Sequence, residues 1–140
     1  MPLSRDEVVR EAVRLLDEVG LEGLTLRRLG ARLGVAAPTL YWHVKDKRAL
    51  LDLVAEAIVT ENRPSVRPAH GQPWWEWLSA SAWAQYGGLV NHRDAALVVA
   101  GNRPWEDSLP DVDQVVGSLI EVGFPPAEAL ESILMVGNFV

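Results

Sequence analysis

The chain has 140 residues, a net charge of −6 and 49% hydrophobic residues, so it is long enough for one domain or two small ones with a buried core. It contains no cysteine, which excludes disulfide bonds, thiolate metal sites and cysteine nucleophiles. Because the sequence has neither a secretory signal nor the roughly 18 uninterrupted apolar residues of a membrane span, it predicts a cytoplasmic protein that does not enter the membrane.

The first helix predicted along the chain begins with a capping box. Ser4 can accept a hydrogen bond from the backbone of Glu7, and the Glu7 side chain can reach back to the backbone of Ser4. A helical stripe of apolar side chains follows, formed by Val8, Val9, Ala12, Val13, Leu15, Leu16 and Val19. Gly20 stands where a left-handed residue is needed, so the sequence predicts that the helix ends there.

Three further helices are predicted in the front half. Thr25 is the N-cap candidate of the second helix, and Gly34 ends that helix. Pro38 suits the first turn of a short third helix, because its missing N–H has no helical partner at that position in any case. Asp46 is placed to cap a fourth helix, which runs to about Asn62. The second and third helices are therefore separated by a tight turn that contains glycine.

The second half of the chain begins with a loop-like segment, residues 63–73, which holds three prolines. Beyond it the sequence predicts four more helices, with the bounds Pro73 to Gly87–Gly88, Asp94 to Ala100, Asp111 to Gly123, and Pro125–Pro126 onward. No segment shows the alternation of a strand, so the predicted fold class is all-α. The chain stops inside an apolar helical pattern, which predicts that more protein follows.

The two short helices and their turn are typical of a helix-turn-helix, in which one helix crosses the phosphate backbone and the next lies in the major groove. Leu40 and Val44 share a face that would pack on the preceding helix. The other face carries side chains that can contact sugars, thymine methyl groups and phosphates, namely Thr39, Tyr41, Trp42 and His43. The alternative is a three-helix bundle in which these aromatic side chains are simply buried.

The charge is unevenly distributed along the chain. Residues 1–50 hold nine Lys and Arg against seven Asp and Glu, whereas residues 51–140 hold four against twelve. A mildly basic front half and a strongly acidic back half favour contact of a polyanion with the front half. Chance variation of the surface is the alternative explanation of the charge taken alone.

One segment is specific enough to indicate a family, namely Thr39-Leu40-Tyr41-Trp42-His43-Val44-Lys45-Asp46-Lys47-Arg48-Ala49-Leu50-Leu51-Asp52. Together with Leu24 to Val35 it closely resembles the DNA-binding domain of the tetracycline-repressor (TetR) family, and most closely the branch that gives the family its name. The similarity continues more weakly through Asn91-His92-Arg93-Asp94, Arg103-Pro104 and Gly123-Phe124. It implies a three-helix DNA-binding domain at 1–46, a long connecting helix at 47–62, and a partial ligand-binding and dimerisation domain at 63–140.

The resemblance implies a homodimeric repressor that binds a palindromic operator in double-stranded DNA and is released from it by a small-molecule effector. By position, it implies DNA contacts at Thr25, Arg27, Ala37, Pro38, Thr39, Tyr41, Trp42, His43 and Lys47. Arg28 joins this set because it lies beside Arg27 at the start of the same helix. Arg27 is expected to contact a guanine through two hydrogen bonds. Ala37 cannot make the base-reading hydrogen bond that the resemblance implies there, which predicts a different operator.

The implied effector-binding positions are Arg63, Ser81, Gln85, Val99, Asn102, Arg103, Pro104 and Val115. Only Arg103 and Pro104 keep the residues that the resemblance implies. At Val99 the resemblance implies a histidine that binds drug-chelated magnesium, and an isopropyl group cannot ligate a hard cation. We therefore expect neither a metal nor a cofactor, and an effector other than tetracycline–magnesium, with an aromatic body as the hypothesis.

Two other functions remain open at this point. One is a TetR-like activator or a regulator that responds to no ligand. The other is a small-molecule-binding module or enzyme without DNA binding, which predicts a degraded recognition helix, whereas Thr39 to His43 is intact. No base and nucleophile, and no His/Asp/Glu cluster, show the spacing of a catalytic or metal site, so the sequence argues against an enzyme. His92 is interpreted as a residue that starts a helix.

Overall fold

Helices joined by loops make up the computed structural model, which describes residues 3–101 and 109–139. Within these ranges the helices are α1 Arg5–Gly23, α2 Leu26–Leu33, α3 Ala37–Leu40, α4 Lys47–Thr60, α5 Trp74–Asn91, α6 Ala95–Ala100, α7 Leu109–Glu121 and α8 Pro126–Phe139. The described residues contain no strand, and the predicted all-α fold with an N-terminal helix-turn-helix is confirmed. None of the described helices is both long and apolar enough to cross a membrane.

The start of α1 is the predicted capping box. The Ser4 N–H donates to Glu7 Oε2 at 2.8 Å, and the Glu7 N–H donates to Ser4 Oγ at 3.2 Å. At Gly20 the backbone leaves helical geometry with φ of 74°, as predicted. The helix then resumes for one more turn, to Gly23. The Leu21 N–H that this kink turns outward donates to Asp94 Oδ2 at 2.8 Å, so a contact from the second half of the chain accompanies the kink.

The turn between α2 and α3 is tight because a glycine lies beneath it. Thr25 Oγ1 caps α2 by accepting from the Arg28 N–H at 3.2 Å, and Gly34 ends the helix in the left-handed region with φ of 68°. The Val35 N–H then bonds back to the Gly30 carbonyl oxygen at 2.9 Å. A Cβ added to Gly30 would lie 2.9 Å from the Val35 oxygen, which is too close, so the turn requires glycine there.

Residues 37–44, which we call the recognition segment because the sequence predicts that they lie in the major groove, form a shorter helix than their apolar spacing suggests. Helix α3 ends at Leu40, and turns continue the path, with the N–H groups of His43 and Val44 both donating to the Leu40 oxygen at 2.9 Å. Asp46 then caps α4 as predicted, accepting from the Ala49 N–H at 2.8 Å. Helix α4 ends two residues earlier than predicted.

The second half of the chain corrects two predicted boundaries. Helix α5 does not end near Gly87–Gly88 but continues to Asn91, because Gly88 packs directly against the backbone of α4 at Ile58. Helix α7 begins at Leu109, so Asp111 lies within its first turn rather than at its N-cap. The short α6 and the start of α8 at Pro126 agree with the prediction.

Two apolar cores hold these helices. The first joins α1 to α4 with part of α6, through the buried residues Val8, Ala12, Leu15, Leu16, Leu24, Leu29, Leu40, Val44, Leu50, Leu53, Val54, Ala55, Ile58, Ala95 and Val98. The second joins α5, α7 and α8 around Trp77, Leu119 and Ala129. The first core therefore includes side chains from both sides of the loop at 61–73.

Candidate functional site

The end of the recognition segment exposes its aromatic side chains. Trp42 is 89% exposed and Tyr41 is 57% exposed, whereas Leu40 and Val44 on the opposite side are buried in the first core. Thr39 is exposed and His43 is half-buried. A bundle that simply buries both ring systems is therefore excluded, and the exposed face has the shape and chemistry to contact a nucleic acid.

The basic side chains around this segment differ in whether they already have partners. Arg28 donates to the Gly23 oxygen at 3.2 Å, and Lys47 Nζ donates to the Leu21 oxygen at 3.3 Å. In contrast, Arg27 and Lys45 have no hydrogen-bond or ion-pair partner among residues 3–101 and 109–139, and both are exposed. These two cations are therefore available for an external anion without breaking an internal contact.

Three uncharged positions complete the predicted surface. Because the Thr25 hydroxyl oxygen accepts from the Arg28 N–H, its own proton is left to donate outward. Ala37 is half-buried at the start of α3 and presents only a methyl group, and Pro38 beside it is exposed. The predicted contacts thus lie at the start of α2, along α3 with the following turn, and at the first residue of α4.

A cavity of about 160 Å³ lies in the second half of the molecule. Its lining consists of Val59, Arg63, Ser65, Val66, Trp77, Leu78, Ser81, Gln85, Val115, Ile133 and Val136. Four of the predicted effector positions, Arg63, Ser81, Gln85 and Val115, are brought together here. Val99 is not part of this lining and packs half-buried against the first core. Asn102, Arg103 and Pro104 lie outside the described residues.

The polar groups of this cavity are few and mostly engaged. Trp77 Nε1 donates to the Ser65 oxygen at 2.8 Å, and Ser81 Oγ donates to the Trp77 oxygen at 3.0 Å. Arg63 forms an ion pair with Asp111 at 2.7 Å. The Gln85 amide has no hydrogen-bond partner in the part of the chain that the structure describes. The cavity therefore offers a mainly apolar wall with one unengaged amide and one cation at its edge.

Larger clefts elsewhere have a different character. One of about 500 Å³ lies between α1 and α4 and is lined by Arg10, Arg14, Asp17, Glu61 and His92 together with apolar residues. It is more open to solvent than the smaller cavity, so its volume alone does not mark it as a ligand pocket. No group of three His, Asp or Glu side chains within the described ranges is arranged to hold a metal ion.

The cavity wall includes residues that sequence reasoning did not single out. Val59, Val66, Ile133 and Val136 come from three separate segments, namely α4, the loop at 61–73 and α8, and Trp77 comes from α5. The only sequence signal of Val59, Ile133 and Val136 is the helical period of apolar residues, which also describes ordinary core positions, and Val66 lies in a loop without such a period. The pattern identifies an inward face without indicating whether that face meets a core or a cavity.

Comparisons with protein families match both halves of the chain. The model described as "Bacterial regulatory proteins, tetR family" matches residues 8–54. The model described as "Tetracyclin repressor-like, C-terminal domain" matches residues 67–140, which is more than half of the chain.

Individual relatives agree with these matches. The tetracycline repressor protein class C of Escherichia coli is 40% identical over 137 residues, which is 98% of this chain and 63% of that protein. A TetR variant from Acinetobacter baumannii AYE, solved in complex with minocycline, superposes with a TM-score of 0.86 at 36% identity, covering 98% of this chain and 76% of the other. BioQ, solved with its double-stranded DNA operator, gives a TM-score of 0.72 at 28% identity, covering 98% and 83%. The chain thus spans somewhat less than two thirds of the length of the class C protein.

Proposed function

This chain belongs to the TetR family of bacterial regulatory proteins, and on that premise we propose that it is a DNA-binding transcriptional repressor controlled by a small molecule. The observation that carries the proposal is the pairing of an exposed aromatic recognition segment at Tyr41 and Trp42 with an unengaged cation, Arg27, on the preceding helix. In this proposal the protein acts as a homodimer in the cytoplasm and binds a palindromic operator, with no enzymatic step.

The residues differ in the part of DNA that they would contact. Arg27 would hydrogen-bond a base edge, since it is exposed and free to present its guanidinium group to a guanine. Thr25, Lys47 and His43 would hold phosphates, because a hydroxyl, an ammonium and an imidazole bind phosphate without reading sequence. Trp42 would pack its ring on sugar and thymine methyl groups. Arg28, Pro38, Thr39 and Tyr41 complete the proposed contact surface.

The operator is proposed to differ from that of the tetracycline repressors. Ala37 presents only a methyl group at the start of α3, where a polar side chain would be needed to hydrogen-bond a base edge. A methyl group favours contact with a thymine methyl over hydrogen bonding. The base opposite Ala37 is therefore expected to be read by shape and apolar contact.

The effector is proposed to occupy the cavity lined by Trp77, Ser81, Gln85 and Val115. Its apolar wall favours an aromatic body, and the Gln85 amide favours one polar group on that body. The lining that the described residues form does not suit a drug-chelated magnesium ion, since it holds no carboxylate or imidazole and Arg63 at its edge is a cation. Val99, which lies outside this lining, offers no donor atom either. An effector other than tetracycline–magnesium follows.

The proposal is tested by selecting bound sequences from a random pool of double-stranded DNA with the purified chain. Affinity for the selected sequence is then measured by fluorescence anisotropy over a series of salt concentrations. Because phosphate contacts release counterions, affinity should fall steeply as salt rises. Arg27→Ala should cost about 1–3 kcal/mol of binding free energy, concentrated at one base position.

Arg67→Ala is the matched control, because Arg67 is an exposed arginine in the loop after α4 with only a 3.7 Å ion pair to Glu121. It should leave operator affinity unchanged. Failure to enrich any sequence, or binding that is indifferent to salt, would contradict the proposal. An equal loss for Arg27→Ala on every sequence would reassign that residue to a phosphate contact.

A further inference from the structure

Three titratable side chains from distant parts of the sequence meet at one point, which we call the clasp: Asp17 of α1, Glu61 directly after α4, and His92 directly after α5. His92 Nδ1 lies 2.9 Å from Asp17 Oδ2, and His92 Nε2 lies 2.8 Å from Glu61 Oε2. The His92 side chain is 14% exposed, whereas those of Asp17 and Glu61 are 38% and 45% exposed. The histidine is thus enclosed by its partners, while the open cleft between α1 and α4 gives water access to the group.

The proton count of the clasp follows from its geometry. An ionised carboxylate can only accept hydrogen bonds, and a neutral imidazole carries a single N–H. Because both ring nitrogens of His92 face carboxylate oxygens at hydrogen-bond distance, both contacts are satisfied only when the ring is an imidazolium that donates twice. Loss of either proton would leave a nitrogen lone pair facing a carboxylate.

The direction of the pKa shift of His92 agrees with a ring that carries two protons. Burial by itself lowers the pKa of His92, but hydrogen bonding to Glu61 and to Asp17, together with their negative charges, outweighs burial and raises the pKa above its ordinary value of 6.5. The charged form is therefore favoured in the folded protein.

Other polar contacts join the same helix ends. The Arg93 N–H donates to Asp17 Oδ1 at 3.0 Å, and the Arg93 guanidinium donates to the Glu18 carbonyl oxygen at 3.0 Å. One turn further along α1, the Leu21 N–H donates to Asp94 Oδ2 at 2.8 Å. The end of α1, which leads into the helix-turn-helix, is thus tied to the turn between α5 and α6.

The remaining charged groups around the clasp come from two directions. From α1, Arg10 and Arg14 line the same cleft, and Arg14 is paired with Glu11 at 3.2 Å. From the turn before α6, Arg93 and Asp94 are held by their contacts to α1. The direct contacts to the Glu61 and Asp17 carboxylates are what hold the proton on the ring.

We propose that the clasp is a proton-dependent joint between the helix-turn-helix and the second half of the molecule. While His92 is charged, it ties the ends of α1, α4 and α5 together. When the ring loses a proton, one of its two hydrogen bonds is replaced by repulsion, and the contact between the end of α1 and the turn between α5 and α6 is weakened, although the backbone and Arg93 hydrogen bonds remain. The orientation of the recognition segment relative to the second half of the molecule therefore depends on pH, whether or not an effector is bound.

The direction of the pH effect follows from the raised pKa. A histidine whose pKa is higher in the folded than in the unfolded state stabilises the fold fully below its unfolded value, and that contribution is lost as pH rises through the folded value. The joint should therefore be tightest below the ordinary histidine pKa of 6.5 and should loosen as pH rises through the raised pKa of His92. This inference concerns the joint alone and does not depend on operator binding.

Amide hydrogen exchange by NMR tests the joint directly, because the Leu21 and Arg93 amides donate across it. After correction for intrinsic exchange rates, their protection should fall about threefold to tenfold as pH rises through the His92 titration, the change expected for one charge-assisted hydrogen bond at a partly exposed site. Ring NMR signals of His92 would give its titration in the same samples. His92→Gln should remove the pH dependence of protection.

His70→Gln is the matched control, since His70 is exposed in the loop before α5, and it should keep the pH dependence of the wild-type chain. If His92→Gln fails to fold, Asp17→Asn and Glu61→Gln serve instead, and each should lower the measured pKa of His92. Protection that does not change while His92 titrates would overturn the proposal. So would a pH profile that is the same in His92→Gln as in the wild type.

Discussion

Gly88 sets the distance between two long helices by having no side chain. A Cβ at this position would overlap the carbonyl oxygen of Ile58 and approach the Ile58 side chain at 3.2 Å, so α5 crosses α4 with backbone against backbone. The neighbouring Gly87 faces a different environment, where an added Cβ would meet only the Asn91 side chain, at 3.9 Å. The two glycines look alike in the sequence but have opposite structural consequences.

Substitution of these glycines separates packing from helix propensity. Gly88→Ala should lower the free energy of unfolding by about 1–3 kcal/mol, because α5 must move away from α4 to admit the methyl group. Gly87→Ala, the matched control, should raise it by about 0.5–1 kcal/mol, because alanine loses less entropy than glycine within a helix. Urea denaturation followed by circular dichroism measures both. A Gly88→Ala chain as stable as the wild type would contradict the close approach.

The end of a helix could be predicted from the sequence wherever a local hydrogen bond determines it. Ser4, Thr25 and Asp46 each accept a backbone N–H as predicted, because a capping contact spans only two or three residues of sequence. The end of α5 was not predictable, since the Gly87–Gly88 pair is a strong local stop signal and the contact that overrides it comes from α4. The predicted start of α7 was wrong for a similar reason. Asp111 is a good N-cap residue by its type, but it lies inside the helix.

The cap of α4 gives a test at the scale of one helix. Asp46→Ala should lower the free energy of unfolding by about 1 kcal/mol, because the Ala49 N–H loses its acceptor at 2.8 Å. Asp46→Asn should stay within a few tenths of a kcal/mol of the wild type, since its amide oxygen can accept the same bond. Chemical denaturation of the three chains under one buffer measures the difference. Equal losses in both variants would show that the charge of Asp46, rather than the cap, matters.

Across the whole molecule, the surface proposed to contact DNA follows from the sequence more directly than the cavity does. The surface lies on one continuous segment of sequence with Arg27 just before it, so a motif captures most of it. The cavity wall is assembled from α4, α5, α7, α8 and the loop at 61–73, and no local pattern links Val59 with Ile133. The clasp is still harder to predict from the sequence, because Asp17 and His92 are 75 positions apart and neither residue lies in an unusual sequence pattern.

A global measurement tests the effector proposal. Ligand binding to the folded state raises the free energy of unfolding by RT ln(1 + [L]/Kd), and the melting temperature rises with it. Minocycline or tetracycline with magnesium should therefore leave the melting temperature of this chain unchanged, because the described cavity wall brings a cation, Arg63, and Val99 offers no ligand. The Acinetobacter baumannii protein solved with minocycline is the positive control. A rise in this chain comparable to that of the control would defeat the proposal.

The first core has a consequence for exchanging parts between proteins. Ala95 and Val98 of α6 are buried among side chains of α1 to α4, although the loop at 61–73 and the whole of α5 lie between the end of α4 and the start of α6. A chimera that joins the first 62 residues to an unrelated sensor would leave an apolar hollow where α6 packs. A transplantable unit must carry α6, or a helix with equally small side chains, along with the helix-turn-helix.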